Sequence, residues 1–294
     1  MATTFIDLNC DMGESYGRWT LGADAEIMPF ITSANVACGY HGGDPHVMRK
    51  TVELALKHNV AVGSHPGLPD LMGFGRRVMD VSPREIKDYM CYQTGALREF
   101  LRSAGVELQH VKPHGILYNM MEKDETLAHA AGEAVMESGK TTLILMAAAG
   151  SKYESTCRKM GARVAAEGFA DRAYNVDLTL VSRKIPGSLI TDPQKAAAQA
   201  VKMATQRKVT TMDGVDVDMV VHTICCHGDT PGSDKIVRTF PSVAIRTACA
   251  AARAGSVMSE PASLRDTRLR STLYARSAKP SDATRMPIFR TVRS

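Results

Sequence analysis

The sequence predicts an α/β fold built on a parallel sheet, and three observations predict it. Short apolar runs alternate with segments of helical periodicity, the pattern of strands joined by crossover helices. Four of those runs end alike, in a cluster of polar and titratable residues: Phe5-Ile-Asp-Leu-Asn-Cys-Asp11, Val60-Ala-Val-Gly-Ser-His-Pro66, Leu108-Gln-His-Val-Lys-Pro-His-Gly-Ile-Leu-Tyr118 and Val220-Val-His-Thr-Ile-Cys-Cys-His-Gly-Asp229. No Gly-x-Gly-x-x-Gly follows the first run, which weakens the alternative of an open, doubly wound nucleotide-binding sheet. Closure into a barrel would bring the polar ends to one rim, where such folds place their chemistry.

Taken in order, residues 5–9 alternate as a short strand, and a polar, Gly-rich loop runs to Gly22. A second strand is expected over 30–38. Asp44-Pro45 supplies an N-cap and a proline at the first helical position, and Val47, Met48, Val52, Ala55 and Leu56 give that helix one apolar face. Residues 60–65 form a nearly continuous apolar run, as a buried parallel strand should. After a loop over 66–77, Ser82-Pro83-Arg84-Glu85 is a capping box that starts a helix to Ala104, with Gly105 as its stop. Strands are expected at 108–112, 142–147, 163–166 and 219–225, and helices at 125–138, 151–160, 194–207 and 242–254; residues 213–218 read as a charged turn.

Charge and composition exclude several functions. The net charge is +5, but eight of the 36 basic and three of the 31 acidic residues lie after residue 255, so the remaining 28 of each sign balance. The body is neutral and only the tail is basic, which argues against nucleic acid as the partner. No run approaches the ~20 apolar residues of a membrane helix, and the start lacks a secretory signal. Seven cysteines in a long chain without Cys-x-x-Cys suit reduced thiols and a cytoplasmic setting. The expected organisation is one barrel domain over 1–255 followed by a disordered tail over 256–294.

The candidate site residues sit at the strand ends. Asp7 and Asn9 would share one strand face, with Asp11 just past the end. Asp11, His41, His65 and His114 are the candidates for catalysis. Asp11, His65 and His114 are also a set able to hold a divalent metal with open positions, and the residues alone leave metal binding and proton transfer open; for His114 the proton carrier is preferred. Arg76 and Arg172 are loop cations suited to a carboxylate or phosphate, and one of Arg76 and Arg77 is expected in a surface ion pair. Asn9, Lys112 and His227 complete the substrate-binding candidates. Ala134-Val-Met-Glu-Ser-Gly-Lys-Thr141 comes near a phosphate loop, but it closes a helix and leads into a strand, the reverse of the required order.

Five motifs then carry a resemblance: Asp7-Leu-Asn-Cys-Asp-Met-Gly-Glu14; Asn35-Val-Ala-Cys-Gly-Tyr-His-Gly-Gly-Asp-Pro45; Gly63-Ser-His-Pro-Gly67 with Gly73-Phe-Gly-Arg-Arg77; Val111-Lys-Pro-His-Gly115; and Cys226-His-Gly-Asp-Thr-Pro231. In this order they resemble motifs of the LamB/YcsF family, over roughly residues 5 to 255. The resemblance implies a seven-stranded (β/α) barrel akin to the glycoside hydrolase/deacetylase superfamily. It also implies the A-subunit role of an ATP-dependent 5-oxoprolinase, which opens 5-oxo-L-proline to L-glutamate with separate B and C subunits. ATP with Mg2+ would be handled wholly or partly by those partners. By analogy with metal-dependent deacetylases, a metal would fall to Asp11, His65 and His114. The rival readings are a stand-alone metal-dependent amide hydrolase and a non-catalytic binding subunit. The sequence departs from the family at Asp177-Leu178, where Asp-Gly is expected, and in its basic tail.

Overall fold

The computed structural model describes residues 6–139, 142–228, 230 and 232–240; the basic tail and the expected helix at 242–254 lie outside them. The chain runs β1 (Asp7–Met12), α1 (Asp24–Ile27), β2 (Ser33–Ala37), α2 (Pro45–Lys57), β3 (Ala61–His65), α3 (Pro83–Ser103), β4 (His110–Val111) and α4 (Gly115–Lys123). It continues through α5 (Glu125–Gly139), β5 (Ile144–Ala148), α6 (Lys152–Lys159), β6 (Arg163–Phe169), α7 (Pro193–Gln206), β7 (Lys208–Thr210), β8 (Asp216–Asp218) and β9 (Thr223–Cys225). Seven parallel strands close into a barrel in the order β1-β2-β3-β4-β5-β6-β9, as the alternation and the resemblance led one to expect.

Register decides what fills the barrel. Asn9 pairs with Ser33 and Cys225, Asp11 with Asn35, Gly63 with His110, and Glu167 with Thr223. Side chains alternate along each strand, so these residues share the inner face. The outer face carries Cys10, Met12, Ala34, Val36, Val62, Val111, Leu145, Ala147, Ala166 and Ile224, all buried in the apolar core. The sheet therefore places its apolar face under the helices and its polar face inside, and burial of the larger aliphatics, each worth about 1.5–3 kcal/mol, holds the two layers together.

Two of the helices start as their sequences dictate. Asp44 accepts from the backbone N–H groups of His46 (2.8 Å) and Val47 (3.0 Å), and its second oxygen takes Gly17 N–H at 2.6 Å, tying the loop after β1 to α2. The Ser82–Glu85 capping box opens α3. Gly63 shows why a strand interior can need glycine: a Cβ there would lie 2.1 Å from Cδ2 of His110, whose ring occupies that space.

Several boundaries move. β1 extends to Met12 because Asp11 and Met12 pair with Asn35 and Val36, so Asp11 lies within the strand and not past it. The charged turn expected over 213–218 is only partly a turn: Asp216–Asp218 form β8, the second strand of an antiparallel hairpin with β7, and the last barrel strand shrinks to Thr223–Cys225. Helix α4 is hidden in the sequence behind Pro113 and Gly115, which read as loop punctuation. Leu178, at the departure from Asp-Gly, adopts φ +66°, a left-handed conformation that glycine takes without the steric cost a leucine bears. Among the described residues no helix is long and apolar enough to cross a membrane.

Candidate active site

Lys112, just beyond β4, reaches across the barrel interior to strands that are not its neighbours. Its Nζ lies 2.8 Å from Asp11 Oδ1, 3.0 Å from Glu167 Oε1 and 3.1 Å from Cys225 Sγ. Burial by itself would lower the ammonium pKa; the charges of Asp11 and Glu167 and the Cys225 sulfur outweigh it and hold Lys112 well above its ordinary value. Burial would likewise raise Asp11, but His65 and Lys112 keep it well below the usual carboxylate range. Around these charges the amides close a lattice. Asn35 Nδ2 donates to Asp11 Oδ1 and to Asn9 Oδ1, both at 2.8 Å, and Asn9 Nδ2 donates to Glu167 at 3.0 Å and Thr223 at 2.7 Å. Tyr118, from α4, donates its hydroxyl to Glu167 Oε2 at 2.9 Å. One layer down, Asp7 is satisfied by the hydroxyls of Thr32, Ser33 and Thr223, a structural acid.

The second cluster lies beside Asp11 and has different chemistry. His65 Nδ1 is 2.7 Å from the Lys112 carbonyl, and His114 Nε2 is 2.8 Å from the Phe74 carbonyl. Carbonyls only accept, so each of those nitrogens carries the ring's hydrogen. The remaining nitrogens, His65 Nε2 and His114 Nδ1, face each other at 2.9 Å. His41 stacks on His114 with ring centroids 3.6 Å apart and planes 2° from parallel. Burial, followed by the neighbouring imidazoles, holds both His41 and His114 well below the ordinary histidine value. Glu14 Oε1 completes the group, 3.3 Å from His41 Nε2, 3.5 Å from His114 Nδ1 and 4.0 Å from His65 Nε2.

A third group flanks the first. Asp171 accepts from the His227 backbone N–H (3.1 Å), from Thr230 (2.7 Å) and from His227 Nδ1 (3.0 Å). Burial would raise this carboxyl, but His227 and these hydrogen bonds bring it down to about 2. An ionised Asp171 fixes the His227 ring, which also stacks on Phe169, and a donor atom of His227 lies within 4.8 Å of donors from Asp11 and Cys225. Arg172 is buried; Nη2 donates to the Val181 carbonyl at 2.7 Å, while Nε has no hydrogen-bond partner. Burial, then the charge of Arg183 and that of Arg76, lowers its pKa. A concentration of guanidinium charge at the rim suits an anion. Arg76 itself is exposed above the Phe74 ring, and Arg77 is the arginine in the expected ion pair, with Asp70.

Of the candidates read from sequence, Asp11, His41, His65, His114, Asn9 and Lys112 converge, His227 adjoins them, and Arg172 and Arg76 lie near one another. The metal set is arranged differently from the Asp11–His65–His114 analogy. The donor atoms gathered within 4.8 Å around His65 and His114 are those of His41 and Glu14, whereas Asp11 Oδ1 is occupied by Lys112 and Asn35 and Oδ2 stands 3.4 Å from His65. Three of the four fit a metal: His65, His114 and Glu14, all buried, with two ring hydrogens parked on carbonyls so that lone pairs face inward, while His41, stacked on His114, cannot point its lone pair at the same ion. Sequence reasoning missed Glu14, Glu167 and Asp171. An acid within the apolar run Val164-Ala-Ala-Glu167 is a signal that could have found one of them, since a charge in a buried strand needs a partner.

Comparison with known proteins agrees with this geometry. The family model described as "LamB/YcsF family" matches residues 6–258. A protein of Pyrococcus furiosus, named as the A subunit of 5-oxoprolinase, is 54% identical over 231 residues, which span 79% of this chain and 90% of that protein. One of the same name from Alkaliphilus metalliredigens is 54% identical over 224 residues, 76% of this chain and 87% of the other. Among solved structures, the lactam utilization protein of Thermus thermophilus superposes with a TM-score of 0.79 at 44% identity, covering 83% of this chain and 97% of that one. A match of this extent, across every strand of the barrel, makes the chain a member of the LamB/YcsF family.

Proposed function

We propose that this chain is the lactam-binding A component of an ATP-dependent 5-oxoprolinase, opening 5-oxo-L-proline to L-glutamate in the cytoplasm together with B and C subunits. The observation that carries the reading is a single barrel rim joining a buried ammonium–carboxylate lattice, an acid-backed histidine and a buried arginine. It occurs in a chain 54% identical to proteins named for that enzyme.

The chemistry follows from the substrate. A five-membered lactam is a stabilised amide, and transfer of a phosphoryl group from ATP to its oxygen makes the adjoining carbon electrophilic. Water adds there, the ring nitrogen takes a proton and leaves, and a second water converts the resulting acyl phosphate to glutamate and phosphate. Arg172 and Arg76 hold the substrate carboxylate. Lys112 and Asn9 face the polar end of the ring, with Lys112 offsetting negative charge as it develops on oxygen. Asp11, held ionised by Lys112, orients water and is too acidic to be the main base. His227, with its Nδ1 on Asp171, carries protons between water and the leaving nitrogen, the arrangement of an oriented acid–base imidazole. A divalent ion at the histidine cluster supplies, when bound, a Lewis acid for a carbonyl or phosphoryl oxygen. ATP with Mg2+ is bound chiefly by the partners, in line with the lack of a phosphate-loop sequence.

Reconstitution tests this. The chain with B and C subunits, ATP and 5-oxo-L-proline should form glutamate, and the chain alone should not. Absence of glutamate from a mixture of folded subunits overturns the proposal. ATP-independent turnover of an amide by the chain alone would favour the metal-dependent amide hydrolase, a reading that the imidazole cluster keeps in play. Under the proposal, His114→Gln abolishes turnover while the complex still assembles; full turnover in that variant would point to the non-catalytic binding role.

A further inference from the structure

We infer that Glu14, His65 and His114, with the ring of His41 stacked behind them, form a binding site for a borderline transition-metal dication of the Zn2+ class, from which Asp11 is excluded. The inference deepens the function proposed above, but the site is argued from its own residues.

Three observations carry it. The first is the tautomers. With the His65 Nδ1 hydrogen on the Lys112 carbonyl and the His114 Nε2 hydrogen on the Phe74 carbonyl, two lone pairs point at each other across 2.9 Å in a buried space. Such a pair repels unless a cation lies between or beside the two nitrogens. The second is His41, which is 1% exposed and has no hydrogen-bond partner at either ring nitrogen, though its Nε2 lies 3.3 Å from Glu14 Oε1. Buried polar groups are rarely left so; the ring stacks face to face on His114, so its lone pair cannot meet the same ion as that of His114, and it bears on the site through Glu14. The third is the spacing. Two donors each ~2.0–2.1 Å from one zinc ion stand roughly 3.3 Å apart at the tetrahedral angle. The three separations among the His65, His114 and Glu14 donors, 2.9, 3.5 and 4.0 Å, scatter about that figure.

The surroundings are cut to the same purpose. A Cβ on Gly67 would lie 2.6 Å from His41 Nδ1, and one on Gly75, which has φ +61°, would lie 2.8 Å from His114 Cδ2. Both glycines leave room for stacked imidazoles where any other residue would displace them. The donor set also selects the ion. Two imidazoles and one carboxylate suit zinc and its neighbours, whereas Mg2+ prefers an all-oxygen shell. The site is therefore distinct from that of the Mg2+ that accompanies ATP. Asp11 is left out because Lys112 and Asn35 occupy Oδ1 at 2.8 Å each, a bound ammonium competes directly with a dication, and Oδ2, although 3.4 Å from His65 Nε2, does not join the donors gathered within 4.8 Å.

The test uses the full chain alone, stripped with chelator, so that its outcome is independent of ATP, lactam and partner subunits. Calorimetric titration with ZnCl2 should show one saturating equivalent, MgCl2 should give none, and CoCl2 should produce the intense visible absorption of a four- or five-coordinate site. Glu14→Gln, His65→Ala and His114→Ala should each weaken zinc binding at least roughly 100-fold. Asp11→Asn should leave it within a few-fold, with circular dichroism verifying the fold of each variant. No saturable zinc binding by the unaltered chain overturns the inference. So does zinc binding that survives Glu14→Gln and is lost in Asp11→Asn, which would move the site to the Asp11 set. A far-downfield proton resonance shared by His65 and His114 and undisturbed by zinc would also overturn it, since a proton would then fill the gap.

Discussion

Two clusters less than a side chain apart solve burial in opposite ways. Around Lys112 every charge has an opposite charge or an amide against it: Asp11 and Glu167 on the ammonium, Asn35 and Asn9 on the carboxylates, Tyr118 on the remaining Glu167 oxygen. Around His114 the side chains are bases and an acid with the same need, and the lone pairs of His65, His114 and Glu14 converge. The first cluster is complete without a ligand and the second is not. The lattice is thus a rigid, charged seat against which a substrate is set, and a bound cation belongs where demands are outstanding.

The contrast can be attacked from either side. Lys112→Met should cause the largest loss, about 3–5 kcal/mol in denaturant unfolding, because two buried carboxylates lose their cation. A cost below about 1 kcal/mol would mean the lattice is not closed. Tyr118→Phe removes one donor to an ionised acceptor and should cost about 1.5–3 kcal/mol, measured the same way, while leaving zinc affinity unchanged.

Acid probes the lattice through His110, whose Nε2 is 2.8 Å from Asn35 Oδ1 and whose pKa is pushed down to about 3, by burial first and by the Lys112 charge second. The unfolded chain binds a proton at this residue near pH 6.5, whereas the folded one does not until about pH 3. Stability contributed here is therefore full above about 6.5 and falls as pH drops toward about 3, with a slope of up to about 1.4 kcal/mol per pH unit. His110→Gln should flatten the profile of unfolding free energy against pH by that slope. The smallest effect is expected in the imidazole cluster: in chelator-treated protein, His41→Phe should change stability by less than about 1 kcal/mol, or raise it, since it removes a group with no hydrogen-bond partner. A loss as large as that of Lys112→Met would erase the distinction between the two clusters.

Much of this is legible in the residues. Strand ends are readable because an apolar run that stops in Lys112-Pro-His114 or Ser64-His65 cannot simply continue as core, and parallel strands must point those ends the same way. The helix starts at Asp44 and Ser82 are readable because cap chemistry is local. What stays hidden depends on long-range pairing. Glu167 and Asp171 acquire meaning only when β6 is set beside β9 and across from Lys112, and the β7–β8 hairpin only when Lys208 meets Asp218. Glu14 lies in a motif whose sequence signal is Asp11, and only the turn after β1 carries it to the histidines. Analogy assigns Asp11 to the histidines, whereas the fold gives its carboxylate to Lys112.

The carbonyls of Lys112 and Phe74, which fix the rings of His65 and His114, have an evolutionary consequence. A backbone oxygen is present whatever side chain mutation installs, so the orientation of these two rings is insulated from substitution at the positions that set it. His227 hangs instead on the Asp171 carboxylate, which a single nucleotide change can remove. Within one rim, the histidine cluster is held by parts selection cannot easily edit, and the proton-carrying histidine by one it can. Divergence among relatives that retain the barrel is accordingly expected at Asp171 and His227 before it reaches His65 or His114.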